Sequence, residues 1–114
     1  MPKISKSKTE YMLAVFVEKY PAAFFPKDSP NTKPLRIGIF TRLTGDNRNF
    51  SRSSIADFLK IYTSKDRYLR AVMTCSDRVE LDGSAFEPVL YSHRWHAYNE
   101  LTERQQRRLE REAA

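Results

Sequence analysis

Three stretches of the chain repeat apolar residues at the period of a helix with one buried face. In the first, Leu13, Phe16, Val17 and Tyr20 stand at i, i+3, i+4 and i+7. Thr9 offers an N-cap and Pro21 ends the run. Ahead of it, residues 1–8 read as a flexible basic arm with Lys3, Lys6 and Lys8. Phe24 and Phe25 are expected to plug the core after the turn, before a loop at 26–33. The second stretch places Leu35, Ile39 and Leu43 on one face, with Phe40 inward, and Pro34 suits the first position of that helix. Gly38 leaves a short strand over 37–40 as the alternative. After turn chemistry at Thr44-Gly45-Asp46-Asn47, Ser51 caps a third helix, with Ile55, Phe58, Leu59 and Tyr62 on its stripe.

From there the pattern shortens. Ser64 is the expected N-cap of a short fourth helix over about 65–72, with Asp66 in its first turn. Arg78-Val79-Glu80-Leu81 alternates as a half-buried strand does, and Asp82-Gly83 is a strong hairpin signal. The return strand falls near 86–89, with Pro88 confining it to an edge or its end. Ser92 can cap a last helix running to about Arg111, anchored by Trp95, Tyr98 and Leu101. Beyond Leu101 the only large apolar residue is Leu109, so 102–114 reads as a solvated helical extension or a frayed end. The expected fold is mainly α with a small β-hairpin, an α+β domain of about five helices. Its body covers residues 9–101.

The chain has 114 residues, 40% hydrophobic and 30% charged, a globular composition of one-domain size. No apolar run approaches the roughly 20 residues a membrane helix needs, and no secretory signal is evident. Cys75 is the only cysteine, which excludes an intramolecular disulfide and an all-cysteine metal site, and fits a reducing cytoplasm. The formal net charge is +6. It is uneven: residues 1–70 hold 14 basic and 6 acidic side chains, residues 71–114 hold 6 and 8. Such a local excess points to a polyanion partner, or else to a merely basic soluble protein.

Enzymatic chemistry finds little footing. Cys75 lies beside Ser76 and Asp77, and would need His93 or His96 folded onto it to act as a nucleophile. His93 and His96 are two possible ligands, too few for a metal site. Three isolated glycines cannot form a phosphate loop. No enzyme, metal or cofactor is expected. The informative stretch is 62–70, where Thr63, Ser64, Lys65, Arg67 and Arg70 gather around a helix amino end, a natural phosphate site. The alternative is an ordinary capped helix with a solvated basic face. Tyr68 can stack an unpaired base or pack in the core. Arg78 can point to the same pocket or to solvent. Lys33, Arg36 and Arg52 each suit a solvated charge, although basic residues near helix starts oppose the dipole.

Three blocks carry a family resemblance. They are Lys33-Pro34-Leu35-Arg36-Ile37-Gly38-Ile39-Phe40, then Tyr62-Thr63-Ser64 followed by Arg67-Tyr68-Leu69, then Arg78-Val79-Glu80-Leu81-Asp82-Gly83. In order and spacing they resemble the ProQ/FinO domain of bacterial RNA chaperones, over residues 9–101. The resemblance implies a helical domain with a small hairpin. It implies an RNA chaperone of single-domain form, acting in post-transcriptional regulation; a cytoplasmic monomer without a small-molecule substrate or a membrane is the expectation, with dimerisation left open. Its partner would be structured RNA, especially terminator-type hairpins with a single-stranded 3′ tail in small regulatory RNAs and mRNA 3′ ends. By the same resemblance, Tyr68 and Arg78 match the family's pocket for the 3′-terminal nucleotides. Thr63, Ser64 and Lys65 match its helix-capping motif on backbone phosphates, and Lys33, Arg36, Arg52 and Arg67 match other basic positions of the RNA-binding face. Ala56, Asp66 and Arg70 depart from a familiar relative, which has an arginine at the first and aromatics at the others. Two readings compete: a helix-turn-helix-like DNA-binding regulator built on the third and fourth helices, and a protein-interaction module using Trp95 and Tyr98 if these are exposed rather than closing the core.

Overall fold

The computed structural model describes residues 4–113. Masses of aromatic side chain build the core. Phe16 on α1 (Lys6–Lys19) packs against Phe24, Phe58 and Phe50, with ring centroids 5.0–5.7 Å apart. Phe24 and Phe58 both meet Tyr62, and Tyr62 meets Tyr68 at 5.7 Å. Edge and tilted contacts of this kind add to the area that the rings bury. Phe24 plugs the core as expected.

Helix α1 begins at Lys6, not after Thr9. Ser5 is its N-cap, accepting from the Lys8 amide at 3.1 Å, while the Thr9 hydroxyl donates back to the Ser5 carbonyl. The expected flexible arm is thus helical from Lys6, and Lys8 Nζ donates to Ser54 Oγ on α3 (Arg52–Thr63) at 2.8 Å. Lys3 lies outside the described residues. The buried face of α1 centres on Met12 and Phe16, with Leu13 and Val17 at its margin.

Helix α2 (Ile39–Asp46) corrects the expected start at Pro34. Leu35 instead makes a parallel bridge to Val79 in β1 (Asp77–Val79). The Val79 amide donates to the Pro34 carbonyl at 2.9 Å, and the Arg36 amide donates to the Val79 carbonyl at 3.0 Å. Those bonds hold 34–36 extended. Gly38 then turns the chain into α2 at φ 88°, a left-handed value that favours glycine. Leu35, Ile39 and Leu43 are still all buried. At the far end of α2, buried Asn47 does more than turn the chain. Its amide donates to the Leu43 carbonyl and the Tyr20 hydroxyl, and its oxygen accepts from Lys19 Nζ, which joins the ends of α1 and α2.

Ser51 caps α3 as expected, accepting from the Ser54 amide. Helix α4 (Asp66–Thr74) follows almost at once. Strand β1 pairs antiparallel with β2 (Ala85–Pro88) around the Asp82-Gly83 turn, and Pro88 sits at the strand end. Helix α5 (Tyr91–Ala113) closes the fold against α4 and runs on past Leu101 as a continuous helix. The five helices and the hairpin match the expected class. Among the described residues no helix is long and apolar enough to cross a membrane.

Candidate nucleic-acid interface

The α3–α4 junction differs from the expected cap. Ser64 ends α3 instead of starting α4: its hydroxyl donates to the Ile61 carbonyl at 2.8 Å, and the Thr63 hydroxyl donates to the Leu59 carbonyl at 2.8 Å. Both hydroxyls therefore satisfy carbonyls at a helix carboxyl end. Lys65 stands at the N-cap of α4 with no side-chain capping bond. The acid in that first turn, Asp66, is gripped by α5: Arg104 Nη1 donates to its Oδ1 at 2.8 Å, and Arg108 donates to Oδ2. Arg104 also donates to the Ser64 carbonyl at 2.7 Å and to Glu100 Oε1 at 3.0 Å. Hydrogen bonds from Arg104, then from Arg108, hold the Asp66 carboxyl below the usual carboxylate range, and Asp66 in turn raises the Arg104 guanidinium. This clamp ties the second half of α5 to the start of α4.

Around the junction opens a groove of about 1160 Å³. Lys6 and Glu10 of α1, Lys27 and Asp28 of the loop, Ser64, Lys65, Asp66, Arg67 and Arg70, and Arg104 of α5 line it. Six cations against three carboxylates give it a positive balance. Of the residues expected at the site, Ser64, Lys65, Arg67 and Arg70 converge here. Arg67 is already engaged, donating to the Phe25 and Pro26 carbonyls and lying 4.9 Å from the Tyr62 ring. It fixes the loop that forms one wall.

The remaining six expected residues lie outside the lining. Tyr68 and Arg78 meet each other at a different place, the peptide of Leu35. The Tyr68 hydroxyl accepts from the Leu35 amide at 2.9 Å, and Arg78 Nη1 donates to the Leu35 carbonyl at 3.0 Å. Arg78 Nη2 contacts His93 Nδ1 at 3.1 Å. With arginine always a donor, that nitrogen of His93 accepts. Arg78 is 8% exposed, and its Nε is buried without a hydrogen-bond partner. Tyr68 is 6% exposed, so its ring packs in the core and has no free face for a base. Burial pushes its phenol above the ordinary value, against the opposing Leu35 hydrogen bond and Arg78 charge. Arg36 does not stand free either. It pairs with Glu80 at 2.7 Å and stacks on Phe86 at 3.8 Å, while Arg42 approaches the other Glu80 oxygen at 3.8 Å. Lys33 is exposed beside buried Pro34. Arg52 is exposed and lies 5.2 Å from the Phe40 ring. Thr63 is half-buried in its back-bond.

Sequence reasoning missed Lys6, Lys27 and Arg104 in the groove, and His93 beside Arg78. Lys6 was hidden by the expected arm and Lys27 by its loop. Arg104 carried only the Glu100 spacing of a helix pair, and nothing in the chain pointed to Asp66 at a separation of 38 residues. Among the described residues no three His, Cys, Asp or Glu side chains cluster to hold a metal ion.

The ProQ/FINO family model matches residues 6–114, nearly all of the sequence. The chain belongs to this family. An RNA chaperone ProQ from Idiomarina loihiensis is 38% identical over 104 residues, covering 89% of this chain and 48% of the relative. One from Aeromonas salmonicida is 36% identical over 108 residues, covering 92% of this chain and 50% of the relative. The chain thus spans about half the length of the curated relatives it matches. In structure it is similar to a ProQ homologue from Legionella pneumophila, with a TM-score of 0.71 and 27% identity over 92% of this chain and 89% of that one. It is also similar to a FinO-like RNA chaperone from Neisseria meningitidis, with a TM-score of 0.68 and 25% identity over 83% of this chain and 95% of that one.

Proposed function

We propose that this ProQ/FinO chain is a non-enzymatic RNA chaperone that binds structured RNA, above all hairpins with a single-stranded 3′ tail. Small regulatory RNAs and mRNA 3′ ends in the bacterial cytoplasm are the targets of this reading. The observation that carries it is family membership, with relatives named RNA chaperones at 36–38% identity. The geometry supplies a division of labour. Lys65, Arg70, Lys6 and Lys27 offer charge to backbone phosphates along the groove, while Arg67 shapes its wall. Lys33 and Arg52 extend the basic surface beyond it. Thr63 and Ser64 act by ending α3 where the groove needs the chain to turn. At the Leu35 backbone, Arg78 ties β1 to Leu35 and to His93 of α5, and its buried Nε has no hydrogen-bond partner among the described residues. Tyr68 positions that peptide rather than stacking on a base. Arg36, held on Glu80 and Phe86, steadies the neighbouring strand and hairpin.

A duplex-DNA regulator fits less well. Helix α4 has nine residues, with Tyr68, Ala71 and Val72 buried and its first turn clamped by α5. Little of it is left to enter a major groove.

The test is a titration at fixed moderate salt with three ligands: a terminator hairpin ending in 3′ uridines, the same hairpin ending in a 3′ phosphate, and a DNA duplex of equal charge. Tightest binding is expected for the free 3′-hydroxyl RNA. Its log affinity should fall with log salt by about 0.9 per phosphate engaged. Lys65→Ala and Arg70→Ala should weaken the binding and flatten that slope. Equal binding of all three ligands would sink end recognition and leave only a basic surface.

A further inference from the structure

Helix α5 has three faces, of which only two are accounted for. Ala97, with Arg94, Leu101 and Arg104 beside it, turns toward the body of the domain. Ser92, His96, Asn99, Glu103 and Glu110 form an exposed polar face. The third face is Tyr91, Trp95, Tyr98, Thr102, Gln105 and Leu109, which alternate at spacings of four and three. None of the six carries a charge, and all are exposed. Tyr91 is 89% exposed, Trp95 63%, and Tyr98 and Leu109 50% each. This spacing is the seam of a helix that pairs with another helix. The expectation that Trp95 and Tyr98 close the core is therefore overturned. Their rings stack on each other at 5.9 Å in the open.

Two leftovers on this face answer each other. At its amino end a groove of about 560 Å³ is walled by Tyr91, Trp95 and Tyr98, floored by Met73 and Val89, and edged by Arg94. At its carboxyl end Leu109 is a solitary apolar knob among charged residues, flanked by Arg108 and Glu110. They lie 18 residues apart, ~27 Å along the helix. We propose that this face is a self-association surface, occupied by α5 of a second copy running antiparallel. A two-fold axis near Thr102 sets each Leu109 into the other chain's aromatic groove. It brings Glu112 level with the Arg94 edge, while Glu110 stays on the polar side of the seam. Such a pairing is isologous and closes on itself. Covering the exposed parts of these rings and Leu109 removes roughly 500 Å² per chain, taking about 150–250 Å² for a whole aromatic side chain. The total of roughly 1000 Å² is the size at which a specific interface begins.

Trp95 is the sole tryptophan, so its fluorescence reports on this face alone. The experiment follows mass by sedimentation, and Trp95 emission, across about 1–500 µM protein. The expected result is a rise from 13.4 kDa toward twice that mass, with a matching blue shift. Leu109→Glu, on the exposed tail, should remain a monomer with red-shifted emission at every concentration. A single-chain mass throughout would overturn the proposal, as would undiminished pairing of Leu109→Glu. A uridine oligomer that quenches Trp95 while the mass stays that of one chain would give the face to nucleic acid, and overturn it equally.

Discussion

Removing the Tyr68 hydroxyl is the sharpest probe of the knot around Leu35. Tyr68→Phe keeps the ring and its contact with Tyr62, so no cavity opens. It deletes the acceptor 2.9 Å from the Leu35 amide, in a place where Leu35 is 2% and Tyr68 6% exposed. A buried N–H left without a partner costs about 1–3 kcal/mol. Taking ~2 kcal/mol, and about 4 °C of melting temperature per kcal/mol for a domain of this size, the variant should melt ~8 °C lower. Thermal unfolding followed by circular dichroism gives the shift. Hydrogen exchange at the Leu35 amide gives its location, and that amide should lose protection more than those of α3. Tyr68→Ala would mix this effect with a cavity of about 3–5 kcal/mol, so the phenylalanine variant is the one that separates hydrogen bonding from packing. A melting point within ~2 °C of the unmodified chain, with Leu35 still protected, would refute the assignment of the phenol as that amide's partner.

Two further outcomes follow from the geometry. Gly83→Ala should destabilise the fold by ~2 kcal/mol or more: φ is 86°, a left-handed value that costs other residues about 1–2 kcal/mol, and the new Cβ would fall 2.5 Å from the Ala22 Cβ. Gly45→Ala, in α2 with open space around it, should instead gain about 0.5–1 kcal/mol, and urea midpoints that move together for the two would refute the distinction. The Asp66 carboxyl has a depressed folded value, so its contribution is present above the ordinary aspartate range and is lost as pH falls through and below it. Stability of Asp66→Asn should therefore vary less than that of the unmodified chain between about pH 5 and pH 2, and parallel profiles would remove the clamp as the source.

Periodicity carried the architecture because the core is local where it could be seen. The α3 stripe of Ile55, Phe58, Leu59 and Tyr62 is buried as its spacing required, and Ser51 caps where the chain has a serine before that stripe. The failures fall where a tertiary partner overrides a local preference. Pro34 and Leu35 have helix-compatible spacing to Ile39, but Val79, more than forty residues on, supplies the hydrogen bonds that keep them extended. Ser64 has the chemistry of an N-cap, yet the Ile61 carbonyl at the end of α3 is closer and claims its proton. Trp95 and Tyr98 have the size of core anchors, but small Ala97 is what lets α5 approach the body, and the large rings are turned outward. The candidate site was legible in its residue types and not in its grouping. A basic run shows charge, whereas the Arg104–Asp66 contact joins two helices with no pattern linking them.

The grouping has a consequence for how binding and folding relate. The Leu35 peptide is held from three directions: the Tyr68 phenol from α4, Arg78 from β1, and the backbone of Val79 through the residues on either side. Arg78 in turn reaches His93 on α5. The hairpin, the extended segment and two helices thus share one small polar centre inside an otherwise apolar core. In such a setting each polar group is worth most when all are satisfied, and the cost of one left unpaired is high. The Arg78 Nε is the one member with no protein partner. It has no surface open to solvent, so a ligand oxygen reaches it only when the surrounding elements part, and would then complete the network across all four. Ligand that binds the folded state alone stabilises it by mass action, so a 3′-hydroxyl hairpin should raise the melting temperature of the unmodified chain. With Arg78→Met, which keeps an unbranched apolar stem and removes the donors, the rise should shrink by more than the variant's own loss of stability explains. An equal rise in both would place the RNA contact elsewhere on the basic surface.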